Sequence, residues 1–214
     1  MSGFFLHFIE FFLILFEIFD NFKKKDVLMI SVLPKKGHLL IAEPSILGDL
    51  SFNRSVVLLA EHNSEGSVGF IINKPLNYTI NDLVPEINAK FTVYNGGPVE
   101  QDNLYFIHNV PEIIPESIEI ANGIYWGGNF EATKELINEG KISKKNIRFF
   151  LGYSGWEMNQ LESELKENSW IVTENTFKSK LLAKPVQHFW KEKMNEQGGD
   201  YVFFSNAPSD PMLN

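Results

Sequence analysis

The segment best suited to chemistry is Gly152-Tyr153-Ser154-Gly155-Trp156, which follows a predicted strand and precedes a predicted helix. A serine at such a turn is the nucleophile of many hydrolases, but their motif is G-x-S-x-G, and Trp156 replaces its final glycine. We therefore expect Ser154 or Gly155 to cap the helix. Because unpaired amides at a helix start attract anions, Gly152, Ser154 and Gly155 are also candidate contacts for a phosphate or carboxylate.

Gly127-Gly128-Asn129 offers the same chemistry at the start of a second predicted helix, residues 130–139, which ends before Gly140. An asparagine just before a helix caps it by accepting a backbone N–H. The remaining free amides attract anions. Gly127, Gly128 and Asn129 are therefore candidate ligand-binding residues, although capping by Asn129 explains the motif without a ligand.

A small cationic spot is expected at one end of a predicted hairpin, whose strands are residues 55–60 and 68–73. Arg54 precedes the first strand and Lys74 follows the second, so the hairpin places them near each other, beside Asn73. Solvated charges at strand ends are the simpler interpretation. If this spot meets the two glycine segments, together they form one anion-binding site.

Composition and spacing argue against other kinds of site. The chain has no cysteine, which excludes disulfides, thiolate zinc sites and cysteine nucleophiles. The histidines show no metal-binding spacing and no phosphate-loop motif is present, so we predict no metal and no cofactor. With 19 basic and 27 acidic residues and a net charge of −8, direct binding to nucleic acid is unfavourable.

Residues 1–28 form an apolar N-terminal extension whose composition differs from that of the remaining chain. A membrane-spanning helix here would carry Glu10 and Glu17 into hydrocarbon, and no basic region precedes the apolar stretch as in an export signal. Three interpretations stay open: translation that starts at Met29, which is favoured, a membrane-associated helix, or a partner-binding helix. Membrane contact is expected only if residues 1–28 are present in the protein.

Residues 29–214 are predicted to form a single α+β domain. Besides the hairpin, β-branched and aromatic runs bounded by turn residues predict strands at residues 37–42, 91–94, 103–108, 118–120, 124–126, 146–151, 170–172 and 201–204. Helices are predicted at residues 79–84, at residues 130–139, after residue 155, and at residues 179–194 with an interruption at Pro185. Lys74-Pro75 is expected to end the second hairpin strand. Hairpin-linked strands with helices between them indicate a mixed sheet.

Together these segments resemble the YqgE/AlgH family over residues 29–214. The resemblance is carried, in order, by residues 37–42 with Pro44, 52–59 with Glu61 and His62, 69–75, 96–99, 127–130, 152–156 with Gln160 and Leu161, and 208–211. It implies a bacterial cytoplasmic protein with a mixed, largely antiparallel, branched sheet that contains a small closed barrel and is surrounded by helices. It also implies a link to transcriptional regulation, and it brings no catalytic residues.

We therefore expect a non-enzymatic regulatory protein that acts indirectly, through a small anionic ligand or an unknown protein partner. The residues expected to bind a ligand are Arg54, Asn73, Lys74, Gly127, Gly128, Asn129, Gly152, Ser154 and Gly155. Two alternatives stay open: a hydrolase or transferase that uses Ser154 near His62 or His108, and a transcriptional regulator that binds DNA directly. The sequence has no recognisable helix-turn-helix motif, which argues against the second alternative.

Overall fold

A branched, mostly antiparallel sheet organises the chain in the computed structural model, which describes residues 32–44 and 51–207. Its strands are β1 Leu39–Ala42, β2 Val56–Asn63, β3 Gly66–Ile71, β4 Pro75–Thr79, β5 Thr92–Asn95, β6 Val99–His108, β7 Ile118–Ala121, β8 Ile124–Trp126, β9 Ile147–Glu157 and β10 Trp170–Thr173. The main path runs β10-β1-β2-β3-β9-β6-β8-β7, and β4 and β5 branch from β9. Among these strands, only β5 and β9 pair in parallel.

Strand β9 is the centre of the branch because its length lets it pair with several strands. Its C-terminal part pairs with β3, its N-terminal part pairs with β5, and β6 pairs along much of its length. This confirms the expected mixed, largely antiparallel, branched sheet. The small closed barrel is wrong for the described residues, since the pairings form an open path that ends at β10 and β7.

Several short helices accompany the sheet. Their bounds are α1 Ile80–Leu83, α2 Phe130–Asn138, α3 Gln160–Lys166, α4 Phe189–Gln197 and α5 Asp200–Asn206, with a 3₁₀ helix at Lys178–Ala183. Local sequence explains two of the starts. Thr79 and Asp82 form a capping box at α1, and the Asn129 side chain accepts the amide of Ala132 at 3.0 Å at α2.

Pro185 separates the 3₁₀ helix from α4, as its missing amide donor predicts.

The strand predicted at residues 201–204 is wrong, because these residues lie in α5. Their apolar side chains do not form a buried sheet face, since Phe203 is 87% exposed. Strand β3 ends at Ile71, so the second hairpin strand stops before Lys74-Pro75 as expected, and Pro75 begins β4 at a position that needs no amide donor.

Helix α4 packs on the sheet through its apolar residues. Phe189, Trp190 and Met194 join a buried cluster with Phe70 of β3 and Phe150 of β9. This contact holds the first turn of α4 beside the β2–β3 hairpin, where the site described below lies.

Within the described residues, no helix has the length and apolarity to cross a membrane. The interpretations of residues 1–28 lie outside the described residues.

Candidate functional site

An open pocket of about 360 Å³ lies between the end of the β2–β3 hairpin and the first turn of α4. We call it the cationic pocket, and define it by the residues that line it: Asn53, Arg54, Asn73, Lys74, Gln187, His188, Trp190, Lys191 and Ser205. The hairpin contributes one wall, with residues 53–54 and 73–74. Residues 187–191 form the opposite wall, and Ser205 comes from α5.

Asn73 fixes the hairpin wall through its side-chain amide. Its Oδ1 accepts the amide of Val56 at 2.8 Å, and its Nδ2 donates to the carbonyl of Arg54 at 2.9 Å. Both bonds cross from the segment that follows β3 to the start of β2. The second one holds Arg54 in a left-handed backbone conformation with φ of +54°. Asn73 is therefore a framework residue of the pocket as well as a lining residue.

Two cations on the hairpin wall are oriented by bonds to backbone oxygens. The Arg54 guanidinium lies 5.1 Å from the centre of the Trp190 ring, and its Nη2 donates to the carbonyl of Ala207 at 2.7 Å. Lys74 Nζ donates to the carbonyl of Ser51 at 2.7 Å. Arg54 thus connects the hairpin to both α4 and the end of α5.

The α4 wall is anchored by Trp190. Its ring is 5% exposed, and its Nε1 donates to the carbonyl of Ala42 in β1 at 2.8 Å. This bond joins residues 148 positions apart, so the second wall could not be paired with the first from sequence alone. Lys191 follows on the same first turn, while His188 and Gln187 precede the helix and are exposed.

The charge of the pocket is one-sided. Arg54, Lys74 and Lys191 line it, together with His188, and among the residues that the structure describes no acidic side chain lines it. In a chain with a net charge of −8, such a local excess of cations is unusual. Cations that line the same pocket repel each other, and an anion between them relieves that repulsion. The arrangement is therefore chemically suited to bind an anion.

The predicted cationic spot is thus present: the structure brings Arg54, Asn73 and Lys74 together. Sequence reasoning missed the opposite wall, residues 187–191, because its position depends on the docking of α4 onto the sheet. The available signal was Pro185, which marks a helix start near Lys191. The anion-binding role assigned to Arg54, Asn73 and Lys74 stays a prediction.

Gly152, Ser154 and Gly155 lie elsewhere, and the helix start predicted for them is wrong. Strand β9 continues through them to Glu157, and α3 begins only at Gln160. Ser154 and Gly155 pair with β3, so they do not cap a helix. The Ser154 side chain is fully buried, and its Oγ donates to the carbonyl of Gly96 at 3.0 Å.

The glycines of this region are required by close backbone contact. A Cβ atom on Gly96 would lie 2.1 Å from the carbonyl oxygen of Gly152, and one on Gly97 would lie 2.3 Å from that of Tyr153. Gly152 also has φ of +70°, which favours glycine. We call Gly96, Gly97 and Gly152 the glycine contact. It explains their sequence pattern by packing and contributes no residue to the cationic pocket.

Gly127, Gly128 and Asn129 precede α2, as predicted, but they also lie outside the lining of the cationic pocket. A Cβ on Gly128 would lie 2.6 Å from Cγ2 of Ile114, so this glycine also serves packing. The carbonyl of Gly127 contacts Nε2 of His108 at 3.1 Å. The cationic pocket therefore does not join the hairpin residues to the two glycine segments, as a single anion-binding site would require.

The histidines proposed as partners of Ser154 have other contacts. The amide of Val110 donates to Nδ1 of His108 at 3.2 Å, so Nε2 carries the proton that is donated to Gly127. Nδ1 of His62 contacts Oγ of Ser67 at 2.8 Å across the β2–β3 pair. Ser154 itself bonds to a backbone carbonyl. The hydroxyl thus has no histidine base among its described hydrogen bonds.

Burial affects the ionisation of His108. The imidazole is fully buried, and burial lowers its pKa below the ordinary value, while the bond to Gly127 opposes that shift. A neutral His108 suits its role as a donor to one backbone group and an acceptor for another. Over residues 32–44 and 51–207, no group of three or more His, Asp or Glu side chains is arranged to hold a metal ion.

Comparison with known proteins places this architecture in a family. The AlgH-like family model (DUF179) matches residues 39–202. A UPF0301 protein of Bacteroides fragilis is 44% identical over 188 residues, which are 86% of this chain and 93% of that relative. A UPF0301 protein of Cytophaga hutchinsonii is 45% identical over 181 residues, which are 84% of this chain and 98% of that relative.

A solved structure agrees with these sequence matches. The solution structure of the AlgH protein from Pseudomonas aeruginosa aligns with a TM-score of 0.63 at 26% identity, and the alignment covers 84% of this chain and 98% of that one. The similarity extends over most of both chains, which supports the α+β fold. From the family model, the sequence relatives and the shared fold, the chain belongs to the AlgH-like family.

Proposed function

We propose that this chain is a cytoplasmic, non-enzymatic regulatory protein that acts through a small anionic ligand held in the cationic pocket. The observation that carries the proposal is the convergence of Arg54, Lys74 and Lys191 on one open volume. A chain without cysteine is compatible with a reducing compartment. The regulatory output is indirect: the occupied protein is recognised by a protein partner.

The pocket favours binding over turnover. Its lining offers cations, amides, the His188 imidazole and the hydroxyl of Ser205, whose Oγ lies 2.7 Å from Oδ1 of Asn195 and 2.8 Å from the carbonyl oxygen of Val202. A nucleophile needs a base within hydrogen-bond reach to activate it. Ser205 contacts an amide oxygen and a carbonyl, neither of which removes a proton at neutral pH. The groups present are those that hold an anion.

The cations differ in how firmly they are placed, which matters for affinity. Asn73 fixes the backbone of Arg54, and Trp190 lies beneath its guanidinium, so little motion is lost when Arg54 contacts a ligand. Lys74 and Lys191 are partly exposed. They provide charge with less fixed geometry. This combination suits a compact anion with several oxygens, such as a phosphate group.

The test is a titration of the full chain with inorganic pyrophosphate, followed by thermal unfolding and by tryptophan fluorescence, since Trp190 lines the pocket. At roughly 100 times its dissociation constant, a ligand stabilises the folded state by about 2.7 kcal/mol. For a chain of this length that corresponds to about 5–10 °C in the unfolding midpoint. We expect a saturable shift that weakens as salt is added.

Two charge-matched variants locate the binding. Lys191→Gln removes a cation of the pocket, whereas Lys144→Gln removes an exposed lysine that does not line it. Lys191→Gln is expected to weaken pyrophosphate binding by about fivefold or more, since a charge-assisted contact is worth on the order of 1 kcal/mol or more. Lys144→Gln should bind as wild type does. No saturable shift in the wild type, or equal weakening by both variants, would contradict the proposal.

A further inference from the structure

Arg148 of β9 is a buried cation outside the cationic pocket. Its side chain is 5% exposed, and its guanidinium lies 4.8 Å from the centre of the Tyr94 ring. The guanidinium donates to three backbone carbonyls: Nη1 to Ile72 at 2.9 Å, and Nη2 to Leu182 at 2.8 Å and to Lys184 at 3.3 Å. Within the described part of the chain, no carboxylate forms an ion pair with it.

Such a cation is costly to keep in the interior. Moving a charged group out of water is unfavourable by several kcal/mol unless other groups compensate it, and here the compensation comes from dipoles rather than from an opposite charge. Burial accordingly lowers the pKa of Arg148, although its usual value is so high that the guanidinium stays charged. An apolar residue would fill the space at lower cost, so the three acceptors need a separate explanation.

The three acceptors belong to the two walls of the cationic pocket. Ile72 directly precedes Asn73 and Lys74 on the hairpin wall, while Leu182 and Lys184 lead into residues 187–191 on the α4 wall. One planar guanidinium therefore bonds to the backbone behind both walls. Arg148 is 76 residues from Ile72 and 34 from Leu182, so its bonds join segments that are distant in sequence.

We infer that Arg148 is a positioning residue that fixes the separation of the two walls and thereby sets the affinity of the cationic pocket for anions. The inference rests on the proposed function, because it names what regulates the same pocket. Arg148 does not line the pocket and acts through the carbonyls that it holds. The rigid fork of a guanidinium suits this role, and the single ammonium of a lysine does not reproduce it.

Binding of pyrophosphate by the full chain tests the inference with two variants. Arg148→Met removes the charge and the donors, whereas Arg148→Lys keeps the charge but loses the fork. Both are expected to weaken binding by about tenfold or more, as misplaced binding groups do. Equal affinity in Arg148→Lys and the wild type would overturn the inference. If Arg148→Met does not fold, Arg148→Lys decides the matter.

A matched control separates positioning from lost stability. Ile137 is a buried residue of α2 in a different apolar cluster, so Ile137→Ala destabilises the chain without touching the pocket walls. It should bind pyrophosphate as the wild type does when both are folded. An equal loss of affinity in Ile137→Ala would mean that any destabilised variant binds poorly, and would overturn the assignment of Arg148.

A second readout needs no ligand. Because the chain has no cysteine, Asn77→Cys and Ala183→Cys place a pair of spin labels at exposed positions next to the two walls. We expect a narrow distance distribution in this labelled chain and a broader one when Arg148→Lys is added. An unchanged distribution would overturn the inference. If the wild type does not bind pyrophosphate, the proposed function fails, and the distances still decide whether Arg148 fixes the walls.

Discussion

The glycine contact and the cationic pocket differ in what occupies the space around their residues. At the glycine contact that space is filled by backbone: a Cβ on Gly96 would lie 2.1 Å from a carbonyl oxygen, and Ser154 beside it is fully buried. At the cationic pocket, side chains surround an open volume of about 360 Å³. Backbone that approaches this closely leaves no room for a ligand, whereas cations around an open volume can receive one.

Electrostatics separates the two regions as clearly as shape does. The amides and carbonyls of β9 near Ser154 are engaged in sheet pairing with β3. An amide that already donates a hydrogen bond to the neighbouring strand is not free to bind an anion. Arg54 and Lys191 carry full charges and line an open volume. Variants in the two regions should therefore separate stability from binding, and the following predictions start with the largest expected effect.

Gly96→Ala should damage the fold most. The added Cβ would overlap the carbonyl of Gly152, and backbone cannot move aside as a flexible side chain does. We expect the free energy of unfolding to fall by about 3 kcal/mol or more, measured by urea denaturation. Gly127→Ala is the matched control: its φ is +65° but nothing lies within 4 Å of the new Cβ, so about 1 kcal/mol is expected. Equal losses would mean that the contact at Gly96 costs no more than the positive φ of Gly127, which would contradict this prediction.

Trp190→Phe should affect both stability and binding, because Trp190 anchors the α4 wall. The variant loses the bond from Nε1 to Ala42 and leaves a smaller ring beneath Arg54. A lost buried hydrogen bond costs about 1–2 kcal/mol, which urea denaturation would detect. Pyrophosphate binding should weaken as well. Unchanged binding would show that the position of Arg54 does not depend on this ring.

Ser154→Ala should have a smaller effect, confined to stability. The variant loses the bond from Oγ to the Gly96 carbonyl, which is worth about 1 kcal/mol. Pyrophosphate binding should not change, because Ser154 does not line the cationic pocket. Thermal unfolding with and without pyrophosphate measures both quantities. A loss of binding in Ser154→Ala would remove the distinction between the two regions.

Acidification should have the smallest effect on the free energy of unfolding, and we expect this effect to arise from His108. Burial lowers the pKa of His108 in the folded state, so the unfolded chain takes up this proton first as the pH falls through about 6.5. The free energy of unfolding should therefore decrease as the pH falls below that value, and level off below the folded-state pKa. His108→Gln should reduce this dependence in urea denaturation measured across pH. An unchanged dependence would assign it to other groups.

The predictability of this molecule from its sequence varies with the range of the interactions involved. The β2–β3 hairpin, the Asn122-Gly123 hairpin and the caps at Thr79 and Asn129 depend on neighbouring residues, and the structure confirms them. Residues 152–155 were predicted to start a helix because glycine and serine usually mark turns. Their strand conformation depends on Gly69, Gly96 and Gly97, which are distant in sequence.

The same distinction holds for the candidate site. Arg54, Asn73 and Lys74 were placed together because one hairpin brings them together. The α4 wall was missed because Trp190 reaches β1 across most of the chain, and nothing near Trp190 in the sequence indicates that contact. Residues 201–204 were predicted as a strand from their apolar character, but a strand needs an edge to pair with, and these residues form α5 instead.

The position of β9 at the branch of the sheet has a consequence for how the chain folds. Strand β3 ends at Ile71 and pairs with residues 154–157, so more than half of the domain must be synthesised before this pairing can form. Pairings between distant segments slow folding because a long loop must close first. During synthesis, β3 and β5 therefore each keep one unpaired edge until β9 has been made. For the same reason, we expect the chain to refold much more slowly than a helical bundle does. Strand edges that stay unpaired during synthesis expose the nascent chain to aggregation until β9 is complete.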